Sequence, residues 1–298
     1  MDKKKGELIV IDIKYKEQIE KVEEVLLMFS EKCKNNFYRN LKNLKINRDN
    51  SSTNILGNYN PLENAITLYD DSSLCHELFH MAFNNASSYG KEVEAGLYID
   101  NGISLKSENS IFGHALTEGF TEYLNRKCKS NKGKHFEYYF ADLLISIYGE
   151  EILEYPLENN PIGFLEYKKF NNIVKYISDL DQLEELFENV EFIVASVPLI
   201  KEATIKGDDV ILNDFKELIS STKIDISPVT LDLFNIIIAE YNSCEKPKID
   251  SKTFIEKIEA FCQDEDYIAT FRLSSNNNLK NDILNLRTRI KETREEER

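Results

Sequence analysis

One short stretch limits the fold more than any other. Residues 70–85 read D-D-S-S-L-C-H-E-L-F-H-M-A-F-N-N, with His76-Glu77-Leu78-Phe79-His80 near their centre. Asp70, Asp71, Ser72 and Ser73 carry oxygens that can cap a helix start. Leu74, Leu78, Met81 and Ala82 then recur at helical spacing, and Asn84, Asn85 and Ser87 end the pattern. Residues four apart on a helix share a face, so His76 and His80 can aim two imidazoles at one point. Zinc accepts neutral imidazole nitrogens at about 2.0–2.1 Å, and Glu77 is positioned to take a proton from a metal-activated water. Chance would put H-E-x-x-H in roughly one such chain in two hundred, and a single His on a half-apolar helix is ordinarily a packed or solvated residue. Here two of the four histidines in 298 residues occupy the one arrangement that chelates a metal.

Composition narrows the partners. The chain has 37 Lys and Arg against 52 Asp and Glu, a net charge of −15. A globally acidic surface repels phosphates and anionic lipid, so neither nucleic acid nor membrane is expected as a partner. The basic runs Lys3-Lys4-Lys5 and Arg126-Lys127-Cys128-Lys129 read as solvated surface. Leu8-Ile9-Val10-Ile11 is too short for a signal core, and no stretch is long and apolar enough to span a bilayer. Cys33, Cys75, Cys128, Cys244 and Cys262 form no C-x-x-C pair, which suggests reduced thiols and a cytoplasmic location. Cys75 abuts His76, but adjacent helical residues point about 100° apart, so it reads as packing.

Along the chain, Glu7 to Ile13 reads as a strand and Tyr15 to about Leu44 as one long helix. Its stripe is Ile19, Val22, Leu26, Phe29 and Cys33. Asn47 to Asn54 reads as a polar loop. Two short strands follow around Asn60-Pro61, the second, Ala65 to Tyr69, leading into the H-E-x-x-H helix. Gly96 to Leu105 is a second hairpin turning at Asn101-Gly102. A helix starting near Ser110 carries Phe112, Ala115, Leu116, Phe120, Tyr123 and Leu124 on its apolar side. Beyond about Lys134 the pattern is helical: Phe136–Glu154, Glu166–Ile177, Leu183–Ala195, Val210–Ile219, Val229–Tyr241, a helix through Phe254, Ile258, Phe261 and Cys262, and a last one from Leu279 to Ile290. The charged Lys291–Arg298 tail closes the chain. These elements give an α+β fold: a small mixed or antiparallel sheet with its metal-binding helix over residues 1–133, then a mostly helical region over 134–298.

A catalytic zinc usually has three protein ligands. The helix after Ser110 offers His114, Glu118 and Glu122 on one face, at i, i+4 and i+8. H-E-x-x-H followed by Leu116-Thr-Glu-Gly-Phe-Thr-Glu-Tyr123 resembles the gluzincin zinc metallopeptidases, and most closely the Leu-Asn-Glu-Gly-Phe stretch of the aminopeptidase N family. The resemblance covers roughly residues 55–125. It implies Glu118 as third ligand, with Gly119 allowing close helix approach. It also implies Glu122, in place of the family's usual Asp, as the carboxylate that orients a ligand imidazole. Residues 81–117, 37 in all, separate His80 from Glu118, a longer insertion than these families usually carry, and the second hairpin fits inside it. The G-N-Y-N-P…A-I-T-L-Y stretch is similar to the family's edge strand, which holds peptides by strand addition.

The implied function is a zinc-dependent metallopeptidase, one Zn²⁺ per chain. It would act on peptide or protein substrates through a metal-activated water, with Glu77 as general base. Gluzincins also draw a Tyr or His from beyond the third ligand to stabilise the oxyanion. Tyr123, His135, Tyr138 and Tyr139 are open for that role, and His114 is open as a neighbour of the ligands. The alternative is a latent or non-catalytic zincin-fold regulatory or binding protein that retains zinc. A third reading, a helical interaction scaffold without metal, has only chance matching of the motif behind it. Oligomeric state and substrate identity have no signature in the sequence.

Overall fold

The computed structural model describes residues 13–49, 56–93, 96–128, 135–167, 170–206, 226–264 and 278–291. In it the N-terminal apolar stripe is buried as its spacing predicts, but on two helices instead of one. Helix α1 is Lys16–Leu26 and α2 is Glu31–Leu41. Ile19, Val22, Leu26, Phe29 and Cys33 are all buried across the break. The chain turns at Leu27–Phe29, leaving Leu27 and Met28 exposed, and Ser30 takes the extended N-cap backbone that starts α2. A 3–4 stripe continued through the turn because both helices bury the same side.

Strand β1, Lys45–Arg48, overlaps the expected polar loop. Lys-Ile-Asn-Arg shows no apolar alternation because only backbone pairing holds it, parallel to β3 from Lys45↔Ala65 to Arg48↔Leu68. Strands β2 (Gly57–Asn60) and β3 (Ala65–Leu68) form the expected antiparallel hairpin. The sheet order is β1-β3-β2, so β1 and β2 are its two edge strands. A short 3-10 turn, Asp71–Ser73, then leads into α3, Leu74–Phe83. Asp70 Oδ1 accepts from Ser72 N at 2.7 Å there, the side-chain capping expected of this stretch.

The second hairpin pairs β4 (Tyr98–Ile99) with β5 (Leu105–Lys106), turning at Asn101-Gly102. Helix α4 is His114–Lys127 and begins four residues later than expected. Ile111–Phe112 are spent as strand β6 against β5, and Gly113 at φ +82° makes the left-handed turn into the helix. Arg126 and Lys127 are not simply solvated. Arg126 Nε donates to Glu122 Oε1 at 2.8 Å with its guanidinium 3.5 Å over the Tyr138 ring, and Lys127 pairs with Glu150 at 2.6 Å.

Helix α5, Glu137–Tyr148, stops short of Glu154. A 3-10 turn at Glu150–Leu153 and the short α6 (Glu154–Leu157) and α7 (Pro161–Leu165) follow. The two helices expected over 166–195 are one, α8, Ile173–Lys206. The stretch between the two, Ser178 to Gln182, contains no Gly or Pro and so does not break it. Helices α9 (Ser227–Ser243), α10 (Ser251–Gln263) and α11 (Leu279–Leu286) match the remaining periodic stretches. The expected Glu7–Ile13 strand, apart from Ile13, the Val210–Ile219 helix, and the tail beyond Lys291 lie outside the described residues.

The chain divides into two compact units: Met1–Tyr138 with Glu150–Glu166, and Tyr139–Gly149 with Tyr167–Arg298. The first holds both small sheets and α1–α4. The second is helical among its described residues. Its core includes Phe140, Phe234 and Phe261, whose rings meet at 5.3–5.5 Å, and Tyr176, whose hydroxyl donates to the Phe140 carbonyl at 2.9 Å. Mostly helical, with two small sheets among the described residues, the protein belongs to the α+β class. Among the described residues no helix is long and apolar enough to cross a membrane.

Candidate metal centre

Helix α3 is apolar on nearly all sides. Leu74, Leu78, Phe79, Met81, Ala82 and Phe83 are fully buried, which fixes the helix in the first unit and leaves His80 half-buried. With α3 fixed, His76 and His80 present their Nε2 atoms 3.1 Å apart. Helix α4 brings Glu118 to the same point: Oε2 stands 3.3 Å from His76 Nε2 and Oε1 stands 3.2 Å from His80 Nε2. Four ligands at about 2.05 Å from one tetrahedral zinc stand about 3.3 Å from each other. The separations are of that size, with the two Glu118 distances made by its two different oxygens, Oε2 to His76 and Oε1 to His80. Two imidazoles and a carboxylate are also a donor set zinc accepts.

The other side of His76 is equally defined. Its Nδ1 is buried without a hydrogen-bond partner and lies 3.5 Å from Glu122 Oε2, longer than a well-formed hydrogen bond. Glu122 is 0% exposed. Besides Arg126, Asn125 Nδ2 donates to its Oε2 at 2.9 Å. A buried carboxylate held by a guanidinium, an amide and an imidazole edge is a paired charge. His135 stacks on the His76 ring, centroids 4.9 Å apart and planes 13° from parallel. His76, Glu122 and His135 could also group around an ion. However, parallel rings cannot both point a lone pair in-plane at one metal, and Arg126 already supplies a cation there.

Each remaining candidate has a definite position. Glu77 belongs to neither group and is 5% exposed. His114 Nε2 lies 3.7 Å from Glu118 Oε1, on the outer side of that carboxylate. Tyr123 donates to Glu150 Oε1 at 2.9 Å and stacks on Tyr138. Tyr139 belongs to the second unit, where its hydroxyl donates to Asp264 at 2.6 Å. Of the four residues open for an oxyanion role, His135 touches a histidine of the group. Cys75 packs as expected: it is buried and its thiol meets that of Cys128.

Three contributors carry no motif. Gly57 of β2 lies against Glu77, the Tyr59 backbone N–H faces the Glu77 carboxylate, and Asn101 Nδ2 donates to the His80 carbonyl at 3.1 Å. The Asn101 signal was present as a hairpin residue. The other two act through backbone, which the sequence does not mark.

The group's electrostatics follow from its packing. Burial alone would keep the His76 imidazole neutral, but the Glu118 and Glu122 carboxylates outweigh it and push its pKa up to about 10. Glu118 is also desolvated, yet His80 and His76 hold its carboxyl well below the usual range. Burial raises Glu77, against the opposing pull of His76 and His80. In the metal-free protein His76 is thus raised above its unfolded value. The stability it contributes is complete below about pH 6.5 and is lost as pH rises through about 10. A metal taking Nε2 must displace that proton. Zinc uptake by metal-free protein at pH 8 should therefore release about one proton per chain, read by calorimetry in buffers of differing ionisation enthalpy. Uptake with no proton release would show that His76 is neutral beforehand.

Comparisons with protein-family models, with curated proteins and with solved structures find no match to this chain, so the gluzincin likeness rests on the residues of α3 and α4 themselves.

Proposed function

We propose that the chain is a zinc-dependent peptidase, with zinc held by His76, His80 and Glu118. The observation that carries the reading is the 3.1–3.3 Å triangle of two Nε2 atoms and one carboxylate, with Glu77 beside it on the same helix. Zinc bound there would supply a Lewis acid that polarises a peptide carbonyl and acidifies a water. The chain's own residues do the rest. Glu77 takes a proton on its carboxylate and later delivers it to the leaving amine; burial raises its pKa and brings it nearer the pH at which both transfers run well. Glu122, facing Nδ1, keeps the His76 ring turned with Nε2 toward the triangle. His135, stacked on His76, is the nearest candidate donor to a developing oxyanion. An extended peptide is the substrate class that suits β2, the edge strand next to Glu77, by strand addition.

A second reading is a latent form of the same enzyme. It draws on the burial of Glu77 and His76, 5% and 8% exposed, since a working base must be reached by water. The experiment that tests both is metal analysis of the purified, mildly dialysed protein, paired with cleavage of an unfolded-peptide library. About one zinc per chain with cleavage supports the active form. Zinc without cleavage supports latency. A folded protein that takes up no zinc overturns both.

A further inference from the structure

Strand β2, at one edge of the first sheet, lies directly on Glu77. A Cβ at Gly57 would fall 2.8 Å from Glu77 Oε1, 2.9 Å from its Cγ and 2.5 Å from Ser73 Oγ, closer than carbon and its neighbours approach. None of the three parts can easily retreat. The strand is held in register by β3 from Gly57↔Leu68 to Asn60↔Ala65. Ser73 Oγ is 2.9 Å from the carbonyls of both Leu56 and Asp70, tying the start of α3 to the residue before the strand. Glu77 is on a helix whose other faces are packed. Two residues along β2, the Tyr59 N–H faces the same carboxylate.

We propose that β2 is the positioning element for Glu77. The missing side chain at Gly57 opens the slot that seats the carboxylate beside the His76–His80–Glu118 group. The catalytic consequence rests on the peptidase reading; the seat itself does not. Gly57 is a positioning residue in this scheme, since it acts only through Glu77. One strand would then seat the base and, through the edge backbone groups that Glu77 does not take, hold the extended substrate. The carbonyl to be attacked and the group that handles its protons would share one rigid frame, the arrangement in which proximity is most effective.

The test is Gly57→Ala in two backgrounds. In the otherwise unchanged protein it should lower the melting temperature by roughly 3–8 °C through overpacking. With Ser73→Ala and Glu77→Ala already present, the obstructing atoms are gone and the same change should shift it by less than about 2 °C. If Gly57→Ala alone does not fold, recovery of folding in that background reads the same coupling. The active protein carrying only Gly57→Ala should keep one zinc and a KM within about threefold, while kcat falls about 10–100-fold. Equal melting shifts in the two backgrounds would overturn the seat. Full kcat, or loss of zinc together with kcat, would overturn the positioning role. Absence of cleavage by the unaltered protein would fail the peptidase reading alone, and the melting comparison would still decide the seat.

Discussion

Glu77→Gln is expected to bind about one zinc per chain, melt as the unaltered protein does, and lose nearly all peptide cleavage. The substitution keeps the shape of the side chain, so the slot against Gly57 stays filled and the amide oxygen can still face the Tyr59 N–H. The ligand triangle does not include Glu77, so metal retention is not at stake. What disappears is the proton acceptor. General acid–base catalysis is typically worth roughly 10²–10⁴-fold, and one carboxylate serving both the attack and the departure of the amine belongs at the upper end. His76→Ala should instead lose metal and cleavage together. A non-catalytic zinc protein would show no cleavage before or after the change. Cleavage that survives Glu77→Gln at full rate would mean the activity belongs to another site.

The parts of this site that could be read from sequence are those where a side chain repeats or caps. His76 and His80 are four apart, and an apolar helix with Asp70 before it leaves that pair no geometry but convergence. Glu118 and Glu122 could be placed on one face for the same reason, but spacing alone did not say which imidazole edge each meets. That depends on how α4 lies against α3, which Gly113 and the short strand Ile111–Phe112 decide by delaying the helix start to His114. The break between α1 and α2 escaped because Ile19 to Cys33 keep one period through it. Strand β1 escaped because Lys-Ile-Asn-Arg is paired by backbone and buries little. The seat of Glu77 had no sequence sign at all, since an absent side chain and an amide N–H look the same in any loop or strand. Local periodicity reports which face is buried; it does not report what the neighbouring element brings to that face.

The two carboxylates of α4 should separate in a single pair of measurements. Glu118 faces both Nε2 atoms, while Glu122 faces His76 Nδ1 and lies near His135, and is otherwise engaged by Arg126 and Asn125. Glu118→Gln removes a charged donor from the triangle, and zinc affinity should fall by more than about 10²-fold. Its fold should survive, because the His76 imidazole, whose charge Glu118 helps to hold, loses that support along with it. Glu122→Gln should weaken zinc less, by about 10–100-fold, since it loosens the orientation of His76 without removing a ligand. Its larger effect should be on stability. Glu122 is wholly buried and Arg126 mostly so, and replacing the charged partner of a buried pair costs about 2 kcal/mol even when the amide keeps some hydrogen bonds. The expected pattern is therefore crossed: one variant folded and metal-poor, the other metal-competent and less stable, read by zinc titration and thermal melting on the same samples. If Glu122→Gln abolishes zinc binding and Glu118→Gln leaves it intact, the ligand is the carboxylate on the Nδ1 side, and the 3.1–3.3 Å triangle is not where the metal sits.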